Sequence, residues 1–71
     1  MWMRIGFPKS ARYGDSLGRF RACLKPLIPG LEIRKCSEGA TVTGPPGTIA
    51  AVLLVLPDGF DVLDSSEIGD Q

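Results

Sequence analysis

The feature that most constrains this chain is an uninterrupted apolar run, Ile49–Leu56, in which eight successive residues carry no polar side chain. Three of them are β-branched, which is typical of a central strand buried on both faces, although the periodicity also fits a short buried helix. We favour the strand. A chain of 71 residues buries only about 60% of its unfolded surface, so it has little material to cover such a segment on both sides.

Alternating apolar residues predict strands on either side of one helix. Residues 1–7 alternate and end at Pro8, which indicates a half-buried strand. The helix is expected to begin with Asp15 or Ser16 as its N-cap and to end near Leu24. Its predicted core-facing stripe consists of Leu17, Phe20, Leu24, Leu27 and Ile28.

The second half of the chain predicts further strands joined by turns. Residues 31–36 and 40–43 read as a hairpin around Gly39, a residue that adopts positive φ at little cost. Turns are expected at 45–47 and 57–59, and residues 60–62 fit a short edge strand. The fold class is therefore α+β, with one helix packed on a small, mostly antiparallel sheet of four to five strands in the order β-α-β-β-β.

Residues 1–63 form a single small α+β domain in this interpretation, and residues 64–71 form an acidic, flexible C-terminal tail. One helix covers one face of a sheet, so the apolar run needs further cover on its other face. A second copy of the chain is the simplest source of that cover. We therefore expect a homo-oligomer, with a dimer favoured.

Charge is divided between the halves of the chain, although the net charge is zero. Residues 1–35 hold all eight basic residues and two acidic ones, and residues 36–71 hold six acidic residues and no basic one. Such asymmetry indicates an interaction face or a tail. The basic half can be neutralised by the chain's own acidic half, by that of a neighbouring subunit, or by an external polyanion.

The lead hypothesis is a small non-enzymatic protein-interaction or regulatory module that uses a basic helix face and an acidic C-terminal half. Another protein is an expected partner, and the aromatic candidates for its anchors, if exposed, are Trp2 and Phe60. The alternative is a nucleic-acid-binding module that uses the basic N-terminal half. The basic candidates under both hypotheses are Arg12, Arg19, Arg21 and Lys25.

The sequence lacks the residues that several kinds of catalytic and metal-binding site require. The chain has no histidine and two cysteines, so it lacks the usual general base and the ligands of a zinc site. The sequence Gly44-Pro45-Pro46-Gly47 resembles the start of a phosphate-binding loop, but the required lysine does not follow. We expect no enzymatic activity, no metal and no cofactor. The longest apolar run is far shorter than the ~20 residues that span a bilayer, so we expect a cytoplasmic protein without membrane contact.

Overall fold

A computed structural model of the chain describes residues 1–66. Its elements follow the order β-α-β-β-α-β, and a short 3-10 segment, Lys25–Leu27, directly continues the first helix. The elements are β1 (Trp2–Gly6), α1 (Tyr13–Leu24), β2 (Glu32–Cys36), β3 (Gly39–Thr43), α2 (Pro46–Val55) and β4 (Asp61–Ser65).

The four strands form one sheet in the order β2-β3-β1-β4, and every neighbouring pair is antiparallel. Each helix therefore connects two strands that a third strand separates in the sheet, which is the split β-α-β arrangement. α1 leads from β1 to β2 past β3, and α2 leads from β3 to β4 past β1. This architecture confirms the α+β class and the small antiparallel sheet.

The core lies between one face of the sheet and the two helices. Met3 and Ile5 of β1 are opposite Val42 and Ala40 of β3, so these four buried side chains share a face. Against them pack the buried residues Phe20 and Leu24 of α1, Ile49 and Val52 of α2, and Phe60. Within residues 1–66, no helix covers the other face, which carries residues such as Arg4 and Thr43.

The apolar run is the place where the structure differs most from the predicted order. Residues 46–55 form a helix and not the favoured strand, so the domain has two helices. Pro46 occupies the first helical position, where its fixed φ suits the helix and its missing N–H removes no hydrogen bond. The alanines and leucines that follow are strong helix formers. Because every position of the run is apolar, its sequence cannot distinguish the two-residue period of a strand from the 3.6-residue period of a helix.

The first helix also begins earlier than predicted. Its N-cap position is Arg12, which makes no side-chain capping bond, and Tyr13 is its first residue. Ser16, one of the two predicted caps, lies inside the helix and is buried. Gly14 and Asp15 therefore belong to the first turn.

The predicted edge strand is present and is longer than expected. β4 extends from Asp61 to Ser65 beside β1, and it takes in the first two residues of the predicted tail. Leu63 has no partner in β1, because Arg4 is opposite Asp64 whereas Ile5 is opposite Val62. Ser66 directly follows β4, and the last five residues of the predicted tail, 67–71, lie outside the described residues.

Glycine is required at two positions, for two different reasons. Gly59 has φ of +91° in the predicted turn at 57–59, where the N–H of Phe60 donates to the carbonyl of Pro57 over 3.3 Å. Gly39 does not have the positive φ expected of it. Gly39 is required by close packing, since a Cβ there would lie 2.0 Å from the carbonyl oxygen of Ile5.

We predict that Gly39→Ala destabilises the domain by more than about 2 kcal/mol, because β1 and β3 must separate to admit the methyl group. Urea denaturation followed by circular dichroism measures the effect. Gly14→Ala is the matched control, since a Cβ at Gly14 would meet nothing within 4 Å. The control should gain up to about 1 kcal/mol of stability from helix propensity. Equal stabilities of the two variants would contradict the packing argument.

Candidate functional site

The candidate site is the solvent-facing side of α2, which is apolar along its length. We call Gly47, Ala50, Leu53 and Leu54 the α2 outer face; all four are exposed. Leu54 retains 87% of its accessible surface and Leu53 retains 54%. Surface helices normally carry polar residues on the side away from the core, and a helix that is apolar all round is normally buried.

Helix geometry explains how one segment supplies both faces. Ile49 and Val52 are buried against the core. Gly47, Ala50 and Leu54 follow at spacings of three and four and therefore form a stripe on the opposite side. A Cβ placed on Gly47 would meet nothing within 4 Å, so this end of the stripe is open to solvent.

The first helix has a different surface. α1 buries Ser16, Phe20 and Leu24 and exposes charged residues such as Arg19 and Arg21. α2 has no charged residue, and its one polar side chain is Thr48. The exposed side of α1 is thus that of an ordinary surface helix, whereas the exposed side of α2 is unusual.

The structure does not gather the predicted basic residues into one cluster. Arg12 precedes α1 and Lys25 follows it, about 20 Å apart along the axis at 1.5 Å of rise per residue. Arg21 lies beside Ile28, Leu31 and Ile33, at the β2 side of the helix.

Arg19 is on the other flank of α1, where its Cζ lies 5.8 Å from the centre of the Phe60 ring. All four basic candidates are exposed. Asp15 and Arg19 are four residues apart on α1, but they form no salt bridge. In the described part of the chain the one salt bridge joins Arg34 Nε to Glu32 Oε1 over 2.7 Å.

The two aromatic candidates occupy different environments. Phe60 is 7% exposed and stacks on Phe20 with 5.9 Å between ring centres, so it lacks the exposure that an anchor for a partner requires. Trp2 is half-buried in β1. Its backbone N–H donates to Ser66 Oγ over 3.2 Å, and this bond joins the start of β1 to the residue after β4.

The opposite charges of the two halves are not joined by ion pairs in residues 1–66. The single salt bridge lies within the basic half, on β2. Arg4 and Asp64 are partners in the β1–β4 register, yet they make no salt bridge. Self-neutralisation, one of the three sources considered for the basic half, therefore has no contact to support it in this part of the chain.

The residues of the α2 outer face were not singled out by sequence reasoning, although the segment was. A strand interpretation assigns residues 49–56 to two equivalent faces and leaves Gly47 in a turn. The proline pair before Gly47 and the adjacent alanines Ala50 and Ala51 were the available signals for a helix. A helix would have separated the inward pair, Ile49 and Val52, from the outward leucine, Leu54.

No helix within the described residues has the length and apolar character needed to cross a membrane. Residues 1–66 contain no group of three or more His, Cys, Asp or Glu side chains arranged to hold a metal ion. No protein-family model, curated protein or solved structure matches the chain.

We predict different stability effects for the two arginines of α1. Arg19→Ala should lower the free energy of unfolding by about 0.5–1 kcal/mol, because it removes the cation–π contact with Phe60. Arg21→Ala should leave stability unchanged or raise it by a few tenths of a kcal/mol, because Arg21 and Lys25 have like charges at i, i+4. Urea titrations of both variants measure the difference. An equal loss of unfolding free energy in both variants would mean that the contact between Arg19 and Phe60 does not contribute to stability.

Proposed function

We propose that this chain is a small, non-enzymatic interaction module that self-associates, as a dimer, through the α2 outer face. The observation that carries the proposal is the exposure of Leu54, 87%, on a helix without a charged residue. Apolar area transferred from water stabilises a complex by about 25 cal/mol per Å² before the cost of association is subtracted. Exposed leucines side by side therefore favour a docked state.

The size gradient along α2 supports a second copy as the occupant. Its N-terminal outer residues are small, Gly47 and Ala50, and its C-terminal outer residues are the large Leu53 and Leu54. A two-fold axis through the middle of the helix would align two copies antiparallel, so that each copy's leucines lie over the other's small residues. Such a face is complementary to itself, which an isologous interface requires.

The absence of charge supports the same occupant. A charged side chain near a two-fold axis faces its own copy, and opposed like charges are costly. α2 has no side chain that would incur this cost. The helix is only about 15 Å long at ten residues. We therefore expect a reversible dimer with a Kd in the micromolar range.

We predict that Gly47→Glu weakens self-association more than about tenfold, because a carboxylate would be buried in an apolar interface. Sedimentation velocity between about 10 μM and 1 mM measures the change in Kd. Gly14→Glu is the matched control. Both glycines are the second residue of their helix, and a Cβ at either meets nothing within 4 Å. The control should dimerise like the unaltered chain.

Circular dichroism and urea midpoints must show that both glutamate variants fold, which is expected because a negative charge near a helix N-terminus is favourable. An unaltered chain that stays monomeric up to about 1 mM would contradict the proposal. Equal dimerisation of the Gly47→Glu variant would also contradict it. Leu54→Ser provides a second probe at the opposite end of the stripe and should weaken the dimer similarly.

The arrangement of charge favours this function over nucleic-acid binding. Arg19 and Arg21 are on opposite flanks of α1, and Arg12 and Lys25 are at its two ends, so the four provide no continuous cationic track. We predict no binding of labelled single- or double-stranded oligonucleotides in low salt, measured by fluorescence anisotropy. Binding that weakens steeply with salt and is lost in the Arg21→Ala, Lys25→Ala double variant would support the alternative instead.

A further inference from the structure

A cleft opens at the end of the sheet where β1 ends and β4 begins. Its volume is about 880 Å³, within the range of small-molecule sites, and it opens to solvent. The loop after β1 lines one side, and the turn between β2 and β3 and the start of β4 line the others. We call it the end cleft. The α2 outer face contributes no residue to it.

Three contacts fix the walls of the end cleft. The backbone N–H of Phe7 donates to the carbonyl of Glu38 over 2.9 Å. The hydroxyl of Tyr13 donates to the carbonyl oxygen of Gly39. The Pro8 ring lies against Gly59, where an added Cβ would be 3.2 Å from Pro8 Cγ. The walls are thus tied to the sheet and to the turn before β4, and a preformed cleft avoids the ordering cost of binding.

Aromatic and aliphatic side chains provide the apolar surface of the end cleft. The Phe7 ring is half-buried, and its centre lies 5.2 Å from that of Tyr13, 5.4 Å from that of Phe20 and 5.2 Å from that of Phe60. This cluster holds the ring in place. Leu63 lies over Gly6, where a Cβ would be 3.0 Å from Leu63 Cδ2. A ligand with a ring or short aliphatic body would match this lining.

The charged side chains of the end cleft have an excess of negative charge. Lys9, Glu38 and Asp61 line it and give a net charge of −1. None of the three belongs to the one salt bridge found in residues 1–66. Carboxylates near partly exposed aromatic rings are a favourable environment for an organic cation, because the ring faces are also negative.

We propose that the end cleft binds a small organic ammonium ion with an apolar body, whose charge lies between Glu38 and Asp61 and whose body contacts Phe7, Tyr13 and Leu63. The site is separate from the proposed dimer face. The Gly47→Glu variant should therefore bind the cation as well as the unaltered chain does, and failure of one proposal is distinguishable from failure of the other.

The test compares three probes of nearly equal size in amide NMR titrations in low salt: 2-phenylethylammonium, 2-phenylethanol and phenylacetate. The ammonium ion should bind most tightly and phenylacetate least, with shifts centred on Gly6, Ser37 and Asp61. Preference for phenylacetate would overturn the proposal. So would shifts located on α2, or the absence of saturable shifts up to about 10 mM ammonium probe.

Variants establish the role of each charge. Asp61→Asn and Glu38→Gln should each weaken ammonium binding about two- to fivefold, the range for partly solvated charge pairs. Lys9→Gln should strengthen it by a similar factor, because it removes a like charge. Asp58→Asn is the matched control: it is the same substitution in the adjacent turn and lies outside the lining. Equal effects of Asp58→Asn and Asp61→Asn would mean that the ammonium ion responds only to the overall negative charge of this region, and this would overturn the proposed site.

Discussion

The pairing of β1 with β3 at the centre of the sheet is the contact on which the rest of the molecule depends. It aligns Met3 with Val42 and Ile5 with Ala40, and this apolar surface is the one on which both helices pack. At the end of the pair, Gly39 approaches the Ile5 backbone more closely than any side chain would permit. The two helices form one such layer, and no helix within residues 1–66 covers the other face of the sheet.

Elements with one clear periodicity could be predicted from the sequence, and the element without one could not. Alternation in residues 1–7 and 31–43 indicated β1 and the β2–β3 hairpin, and the spacing of Phe20 and Leu24 indicated α1. In residues 49–56 every position is apolar, so the hydrophobic pattern does not indicate which residues face the core. The deciding influences were Pro46 at the helix start and the topology, which needs a crossover from β3 to β4.

The candidate site was predictable in part for the same reason. The composition of the apolar run predicts more apolar surface than a chain of this size can cover, and Leu53 and Leu54 are exposed. The residues that face outward are set by helix geometry, so an interpretation of the segment as a strand does not identify them. Charge was a poorer guide to position, because residues near in sequence, such as Arg19 and Arg21, lie on opposite flanks of one helix. The end cleft is formed by segments distant in sequence, so no local pattern could indicate it.

The two outermost strands have a consequence for how far an assembly can grow. β2 and β4 are the outermost strands of the sheet in residues 1–66; β2 exposes Glu32, Arg34 and Lys35, and β4 combines Asp61 and Asp64 with the unmatched residue Leu63. Charged side chains and an irregular ladder both discourage the addition of a further strand. In the dimer proposed above, copies joined through α2 would bury their shared face, and neither edge strand of the described residues would favour the addition of a further copy. The proposed contact would therefore yield a closed pair that does not propagate into a ribbon or fibre.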